Sequence, residues 1–239
     1  MISNTIQKWA QDSQVELRFF SSVDSTNQEA KKEISPELSG LVLYVAETQT
    51  QGRGRSGRHW YNTAPGTNLL SSWSLSCSSA PQPIMGPLIG LALYRAAMAP
   101  WPQLPWSLKA PNDLFLGEKK VAGLLLETVS RGDLHRLIVG LGFNLLDHPQ
   151  DLPEATHLSH SEGLGRSPSS EELTQFLSEF HQQLLQAVHQ GLAPELIETA
   201  RIELAKALNA HPLKPGYIVE VTPSASLILA DKTLRWSDL

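Results

Sequence analysis

Two hydrophobic periods alternate along the chain. Leu17–Phe20 reads as a first strand, and Leu41–Ala46 (LVLYVA) is a continuous apolar run of strand length, predicting a strand buried on both faces. Between them Ser25-Thr26-Asn27-Gln28 predicts a helix start, with Ser25 as N-cap and Gln28 in the capping-box position. Thr67–Leu75 is the next predicted strand, after an Ala64-Pro65-Gly66 turn. Gly86–Met98 is apolar on almost every side, which predicts a buried helix, closed by Pro100, Pro102 and Pro105. Strands follow at Trp106–Lys109, Leu114–Leu116, Val121–Thr128 and Leu134–Phe143, joined by turns at Pro111-Asn112-Asp113, Gly117-Glu118-Lys119-Lys120 and Arg131-Gly132-Asp133. Such short connections imply antiparallel pairing and exclude a doubly wound nucleotide fold.

Residues Asp147–Pro168, rich in His, Ser, Pro and Gly, read as loop. Leu173, Phe176, Leu177, Phe180, Leu184 and Val188 then recur at helical spacing, predicting a helix over Glu171–Val188 that Ser169 or Ser170 caps and Gly191 stops. A second helix is expected over Pro194–Leu208, and Tyr217–Arg235 holds short β runs. The expected fold class is α+β: a mixed, largely antiparallel sheet flanked by helices over residues 1–209, with a small C-terminal β segment over 210–239.

Charge narrows the partners. The 239 residues carry a net charge of −5, so no global basic field draws the chain to nucleic acid or anionic lipid. A single cysteine, Cys77, excludes an internal disulfide framework. The N-terminus lacks a signal-peptide pattern, and the longest apolar run, Pro87–Pro100, is interrupted by Arg95 and too short to span a bilayer. A cytoplasmic protein with neither membrane nor nucleic-acid partner is expected.

In this acidic chain one stretch stands apart: Thr48–Trp60, TQTQGRGRSGRHW, alternates Gly52, Gly54 and Gly57 with Arg53, Arg55 and Arg58. The glycines permit close backbone approach, and guanidinium forks suit phosphate and carboxylate. A small anionic ligand under a foldable loop fits; a solvated basic loop or an RNA-touching Gly/Arg segment is the bland counterpart. Lys109 and Lys120 flank a tight turn and hairpin where both ammonium groups could meet one anion, and Asp113 could hold Mg²⁺ or orient a lysine. Gly123 and Gly140 would leave room for a flat ligand against the sheet. No Ser-His-Asp or Cys-His arrangement is evident, so positioning and charge neutralisation would carry the chemistry.

Taken in order, DSTN, T-x-T-x-GRGRSGR-x-W, K-x-PND, KKVAG-x-x-x-E and G-x-G-x-N resemble the biotin protein ligases (biotin–acetyl-CoA-carboxylase ligases), closely over roughly residues 17–146. The resemblance implies a class II synthetase-like catalytic domain with an SH3-like C-terminal appendage. It implies ATP and Mg²⁺ as cofactors, and biotin and a biotin carboxyl carrier protein of acetyl-CoA carboxylase as partners, with the enzyme a monomer or homodimer. Biotin's carboxylate would attack the α-phosphorus of ATP, and a carrier lysine would then take the biotinyl group from biotinyl-5′-AMP. Carried onto this chain, Ser25, Thr26, Asn27 and Gln49 would bind biotin, with Gly52, Gly123 and Gly140 lining its pocket. Arg53 and Arg55 would close on the adenylate and assist catalysis. Lys120 would be the main electrostatic catalyst, between the biotin carboxylate and the α-phosphate. Arg55, Arg58, Trp60, Lys109, Asn112, Asp113 and Asn144 would serve the nucleotide, and Asp113 the metal.

Departures from the family pattern are Ala110 where K-W-P-N-D has tryptophan, Gln51 where a small residue is common, and a shortened C-terminal segment without a glycine-rich ending. The leader before Leu17 is too short for a helix-turn-helix domain, so a repressor function is expected to be absent. The alternatives are a lipoate or octanoate ligase or transferase of the same fold, a biotin-binding relative without activity, and a non-catalytic nucleic-acid-binding module built on the Gly/Arg loop. Against the lipoate group, whose loop resembles R-R-x-S-G-G-G, stand GRGRSGR and a polar set that an acyl chain would leave unpaired.

Overall fold

A computed structural model describes residues 2–33, 40–160, 162–192, 198–212, 214 and 216–239. Along the chain run α1 (Ile2–Asp12), β1 (Glu16–Val23), α2 (Thr26–Lys32), β2 (Leu41–Gln49), β3 (Leu69–Cys77), α3 (Met85–Met98), β4 (Trp106–Lys109), β5 (Asp113–Leu116), β6 (Lys119–Arg131), β7 (Leu134–Phe143), α4 (Ser170–Leu192), α5 (Glu198–Asn209), β8 (Ile218–Val221), β9 (Ser226–Leu229) and β10 (Thr233–Arg235). The strands form a seven-stranded sheet ordered β1-β2-β3-β7-β6-β5-β4 and a three-stranded antiparallel sheet ordered β10-β9-β8. This is the mixed α+β class that the pattern predicts. The chain divides into two compact units, Met1–Ala80 with Val121–Thr174, and Pro81–Lys120 with Gln175–Leu239.

In the first unit, β1 and β2 are parallel, in register from Glu16↔Val42 to Val23↔Gln49, because α2 returns the chain between them. The pairs β2–β3, β3–β7 and β6–β7 are antiparallel. The period-2 alternation of β2 sends Val42 and Tyr44 to one face, where with Ile138 they pack against Ala30 of α2. On the other face Trp73 meets Trp9 of α1 with ring centroids 5.7 Å apart. The N-terminal leader is thus a packed helix, with Ile2, Ile6, Trp9 and Ala10 buried at helical spacing. Burial of Trp9 at 2% exposure makes it an anchor of the core rather than a tail.

Arg136 on β7 is buried at 2% exposure, yet carries a guanidinium. It donates to Ser74 Oγ at 2.9 Å, Ser76 Oγ at 2.9 Å, the Ser74 carbonyl at 2.8 Å and the Gly40 carbonyl at 3.3 Å. Burial pulls its pKa below the ordinary arginine value, a cost offset by charge-assisted hydrogen bonds. Nearby Tyr44 donates its hydroxyl to Glu33 at 2.8 Å, and burial raises the Tyr44 pKa.

In the second unit α3 is buried on nearly all sides, and β4 pairs antiparallel with β5. Trp101, Phe176 and Phe180 stack in series, with centroids 5.9 and 6.1 Å apart. Arg95 grips Glu203 through two nitrogens, at 3.0 and 2.5 Å. Gly191 does not stop α4, which runs on to Leu192. A Cβ there would lie 2.7 Å from the Met85 sulfur, so packing explains this glycine. The first turn of the predicted second helix, 194–197, lies outside the described residues. Among the described residues no helix is long and apolar enough to cross a membrane.

The buried Arg136 predicts a measurable loss. Arg136→Leu removes the donors to two hydroxyls and two carbonyls and should lower unfolding free energy by about 2–3 kcal/mol, as for hydrogen bonds to a charged group. Urea denaturation checks this, and an unchanged midpoint would refute the role given to that side chain.

Candidate active site

The N-terminus of α2 points at the end of β2 and at β3, β6 and β7. Ser25 occupies the N-cap with extended φ of −161°, but no side-chain cap hydrogen bond forms. Its carbonyl instead accepts from Gln28 N at 3.0 Å and Glu29 N at 3.1 Å, so the predicted capping box is absent. Gln28 turns outward: its amide oxygen, in the orientation that satisfies both partners, accepts from the two terminal nitrogens of Arg53 at 2.8 and 2.5 Å.

Behind the cap runs a buried polar chain. Gln49 Oε1 accepts from Thr26 N at 2.8 Å and from Thr26 Oγ1 at 3.2 Å. Ser72 Oγ lies 2.7 Å from Thr26 Oγ1 and 2.5 Å from Asn27 Oδ1. Asn27 Nδ2 donates to Glu127 Oε2 at 2.8 Å and to the Leu125 carbonyl at 3.3 Å. Lys31 Nζ closes the series on Glu127 Oε1 at 2.5 Å. Ser25, Thr26, Asn27, Gln49 and Ser72 are all buried. Asn62 holds the outgoing end of β2, its side-chain amide exchanging hydrogen bonds with the Gln49 backbone.

This chain of groups rests on a floor without side chains. A Cβ at Gly140 would fall 2.5 Å from Asn27 Oδ1, and one at Gly142 would enter the indole ring of Trp60. Strand register sets Gly142 opposite Gly123 and Gly140 opposite Leu125. Asn27 and Trp60 therefore approach the sheet where β7 carries no side chain.

The Gly/Arg loop starts from that indole. Trp60 N donates to the Gly52 carbonyl at 3.0 Å, and Gly54 N to the Arg58 carbonyl at 2.8 Å. A bridge joins Arg53 and His59, giving the loop backbone order of its own. Its tip turns through left-handed residues, Ser56 at φ 53° and Gly57 at φ 74°. The loop roofs a cleft of about 680 Å³, lined by Arg53, Arg55, Arg58 and His59 on one side and by Leu125 and Glu127 on the other. Among the described residues no hydrogen bond or ion pair engages the Arg55 and Arg58 guanidiniums. Glu127 already meets Lys31 and Asn27, so the cleft keeps a positive excess.

The remaining predicted residues divide. Asn144 is buried, donating to the Thr156 carbonyl at 3.0 Å and lying 3.4 Å from Asn68 Nδ2, which ties the end of β7 to the following loop. Lys109, Asn112, Asp113 and Lys120 belong to the second unit. There Lys120 Nζ pairs with Asp113 Oδ1 at 2.6 Å. Lys109 lies opposite Asp113 in the β4–β5 register, its ammonium 5.4 Å above the Phe115 ring centroid. Glu127, Lys31, Ser72 and Asn62 carry no predicted role, although Glu127 ends the KKVAG-x-x-x-E run.

A sequence model of the Biotin/lipoate A/B protein ligase family matches residues 19–144. The chain is 39% identical over 131 residues to the biotin--[acetyl-CoA-carboxylase] ligase of Paracoccus denitrificans, covering 53% of each chain. It is 35% identical over 129 residues to the bifunctional ligase/repressor BirA of Escherichia coli (strain K12), covering 52% of this chain and 38% of the relative. The chain thus spans about half the length, or less, of these curated relatives. In fold it is similar to the biotin protein ligase from Aquifex aeolicus in complex with biotin and ATP, with a TM-score of 0.70 at 23% identity over 92% of this chain and 94% of that one.

The glycine floor is testable through the loop. Gly142→Ala should displace Trp60, cost about 1–3 kcal/mol through overpacking, and speed tryptic cleavage after Arg53, Arg55 and Arg58. Adding Trp60→Ala should relieve the clash. Unaltered cleavage in Gly142→Ala would show that the indole does not hold the loop.

Proposed function

We propose that this chain, which belongs to the Biotin/lipoate A/B protein ligase family, activates biotin with ATP and passes the biotinyl group to a lysine of a carboxyl carrier protein. The observation that carries the reading is the buried polar chain Gln49–Thr26–Ser72–Asn27 beside an arginine-roofed cleft. A cyclic urea brings two N–H donors and a carbonyl, which side-chain amides and hydroxyls can answer within hydrogen-bond reach. An acyl chain offers no partner to such groups, which would keep only the hydrogen bonds they make to one another. The naming of the Paracoccus relative as a biotin--[acetyl-CoA-carboxylase] ligase supports the same choice.

In the first step a biotin carboxylate oxygen attacks the α-phosphorus of ATP and pyrophosphate leaves. Arg53, Arg55 and Arg58 neutralise phosphate charge as the loop closes, and Ser25, Thr26, Asn27 and Gln49 hold the ring system. Lys120, kept in place by Asp113, supplies a fixed ammonium charge for the developing negative oxygens. Lys109, Asn112, Trp60 and Asn144 serve the nucleotide. Mg²⁺ suits a single carboxylate combined with phosphate oxygens, and Asp113 fits it only as a minor ligand of a cation that the nucleotide carries in. Bound there, Mg²⁺ would offset the charge of the leaving pyrophosphate. In the second step a carrier lysine amine attacks the acyl carbon of the mixed anhydride, and AMP departs.

Incubation with ATP, Mg²⁺ and biotin should yield biotinyl-5′-AMP by mass spectrometry. A lipoyl adenylate in the lipoate arm instead would favour the rival substrate, and no adenylate in either arm would overturn the enzyme reading. Lys120→Ala should slow adenylate formation on the order of 100- to 1000-fold, comparable to deleting one oxyanion-hole donor. Pyrophosphate exchange near the parent rate would remove Lys120 from the chemistry.

A further inference from the structure

A group of imidazoles lies in the loop after β7, outside the cleft lining. The chain passes Asp147 and His148, then returns so that Leu158 N donates to the Asn144 carbonyl and Ser159 N to the Leu145 carbonyl, both at 3.0 Å. Thr156 and Leu158 are buried at 3% and 0% exposure, which fixes the backbone on both sides of His157. His157 thereby meets His148 with Nδ1 to Nδ1 at 2.7 Å and ring centroids 5.0 Å apart. His160 stands edge-on to His157 at 5.4 Å. One potential ligand atom from each of Asp147, His148 and His157 lies within 4.8 Å of the others, and all three residues are half-buried.

We propose that Asp147, His148 and His157 form a binding site for a borderline divalent cation, Zn²⁺ above all, which clips this loop together. Two ring nitrogens facing each other at 2.7 Å share one proton between two lone pairs, and a cation can take the place of that proton. Tetrahedral zinc with bonds of about 2.0–2.1 Å would set its ligand nitrogens about 3.3 Å apart, so a small ring rotation suffices. Imidazole nitrogens with one carboxylate select Zn²⁺, Ni²⁺ or Cu²⁺ over Mg²⁺ and Ca²⁺, which prefer all-oxygen shells. A fourth position falls to His160 or to water, as in three-ligand zinc sites. The site would brace Asn144, whose side chain already holds the Thr156 carbonyl in the same loop. It needs no nucleotide and is independent of the ligase reading.

The test uses the untagged chain after chelator treatment and dialysis, with ZnCl₂ alone as probe in isothermal titration. One saturable equivalent, a proton released on binding, a raised melting temperature and indifference to excess Mg²⁺ are expected. His148→Gln and His157→Gln, each checked for native circular dichroism, should weaken zinc binding at least about tenfold, whereas exposed His189→Gln should not. Should either site variant unfold, Co²⁺ added to the parent chain supplies the second measurement: visible d–d bands of a tetrahedral nitrogen and oxygen site support the proposal, and a spectrum of hydrated Co²⁺ overturns it. Equal binding in the parent and both site variants, or no saturable binding at all, also overturns it.

Discussion

Close approach to one strand governs the candidate site. Had β7 carried side chains at 140 and 142, Asn27 could not reach the Leu125 carbonyl and Glu127, nor could Trp60 lie on the sheet. Both contacts need backbone where a side chain would stand, because an interior packed at crystal density has nowhere else to put a methyl group. The helix terminus and the loop stem are therefore both seated on missing atoms. Their positions are defined by the sheet rather than by their own short-range bonds.

Charge is distributed to match. Glu127 would oppose an anion if left alone, but Lys31 and Asn27 occupy both of its oxygens. Arg53 is braced by Gln28, while Arg55 and Arg58 line the cleft. A carboxylate held by a cation and an amide, beside guanidiniums facing solvent, leaves a field suited to phosphate. In the second unit the same economy fixes an ammonium: Lys120 is anchored by Asp113 instead of moving freely on its flexible stem.

Most strands were legible because β-branched and aliphatic runs bounded by turn residues have few other readings; β2, β3 and β5 to β7 lie within a few residues of their predicted spans. α1 escaped notice although Ile2, Ile6 and Trp9 keep helical spacing, since polar residues between them mask the stripe in so short a segment. The N-cap at Ser25 was visible, but the partner of Gln28 was not: a guanidinium twenty-five positions away outcompetes the local backbone amide. Thr26, Asn27 and Gln49 do come together as hydrogen-bonded neighbours. Ser72 and Lys31 were illegible because their places depend on the β3–β7 register and on which face of α2 meets the sheet. Asn27 lies against Gly140, where a sequence reading leaves room for a ligand, and Trp60 lies against Gly142, to which that reading gives no role.

The order of strands has a consequence for synthesis. β3 finds its second neighbour in β7, with Ser71 and Leu141 separated by 70 positions. While a ribosome extends the intervening chain, β1, β2 and β3 can assemble, but the far edge of β3 stays unpaired. Closing so long a gap is entropically slow, and an uncovered strand border attracts other chains. A nascent polypeptide halted before β7 would thus be a natural client for chaperones, and its yield in cells would depend on translation pace as much as on final stability.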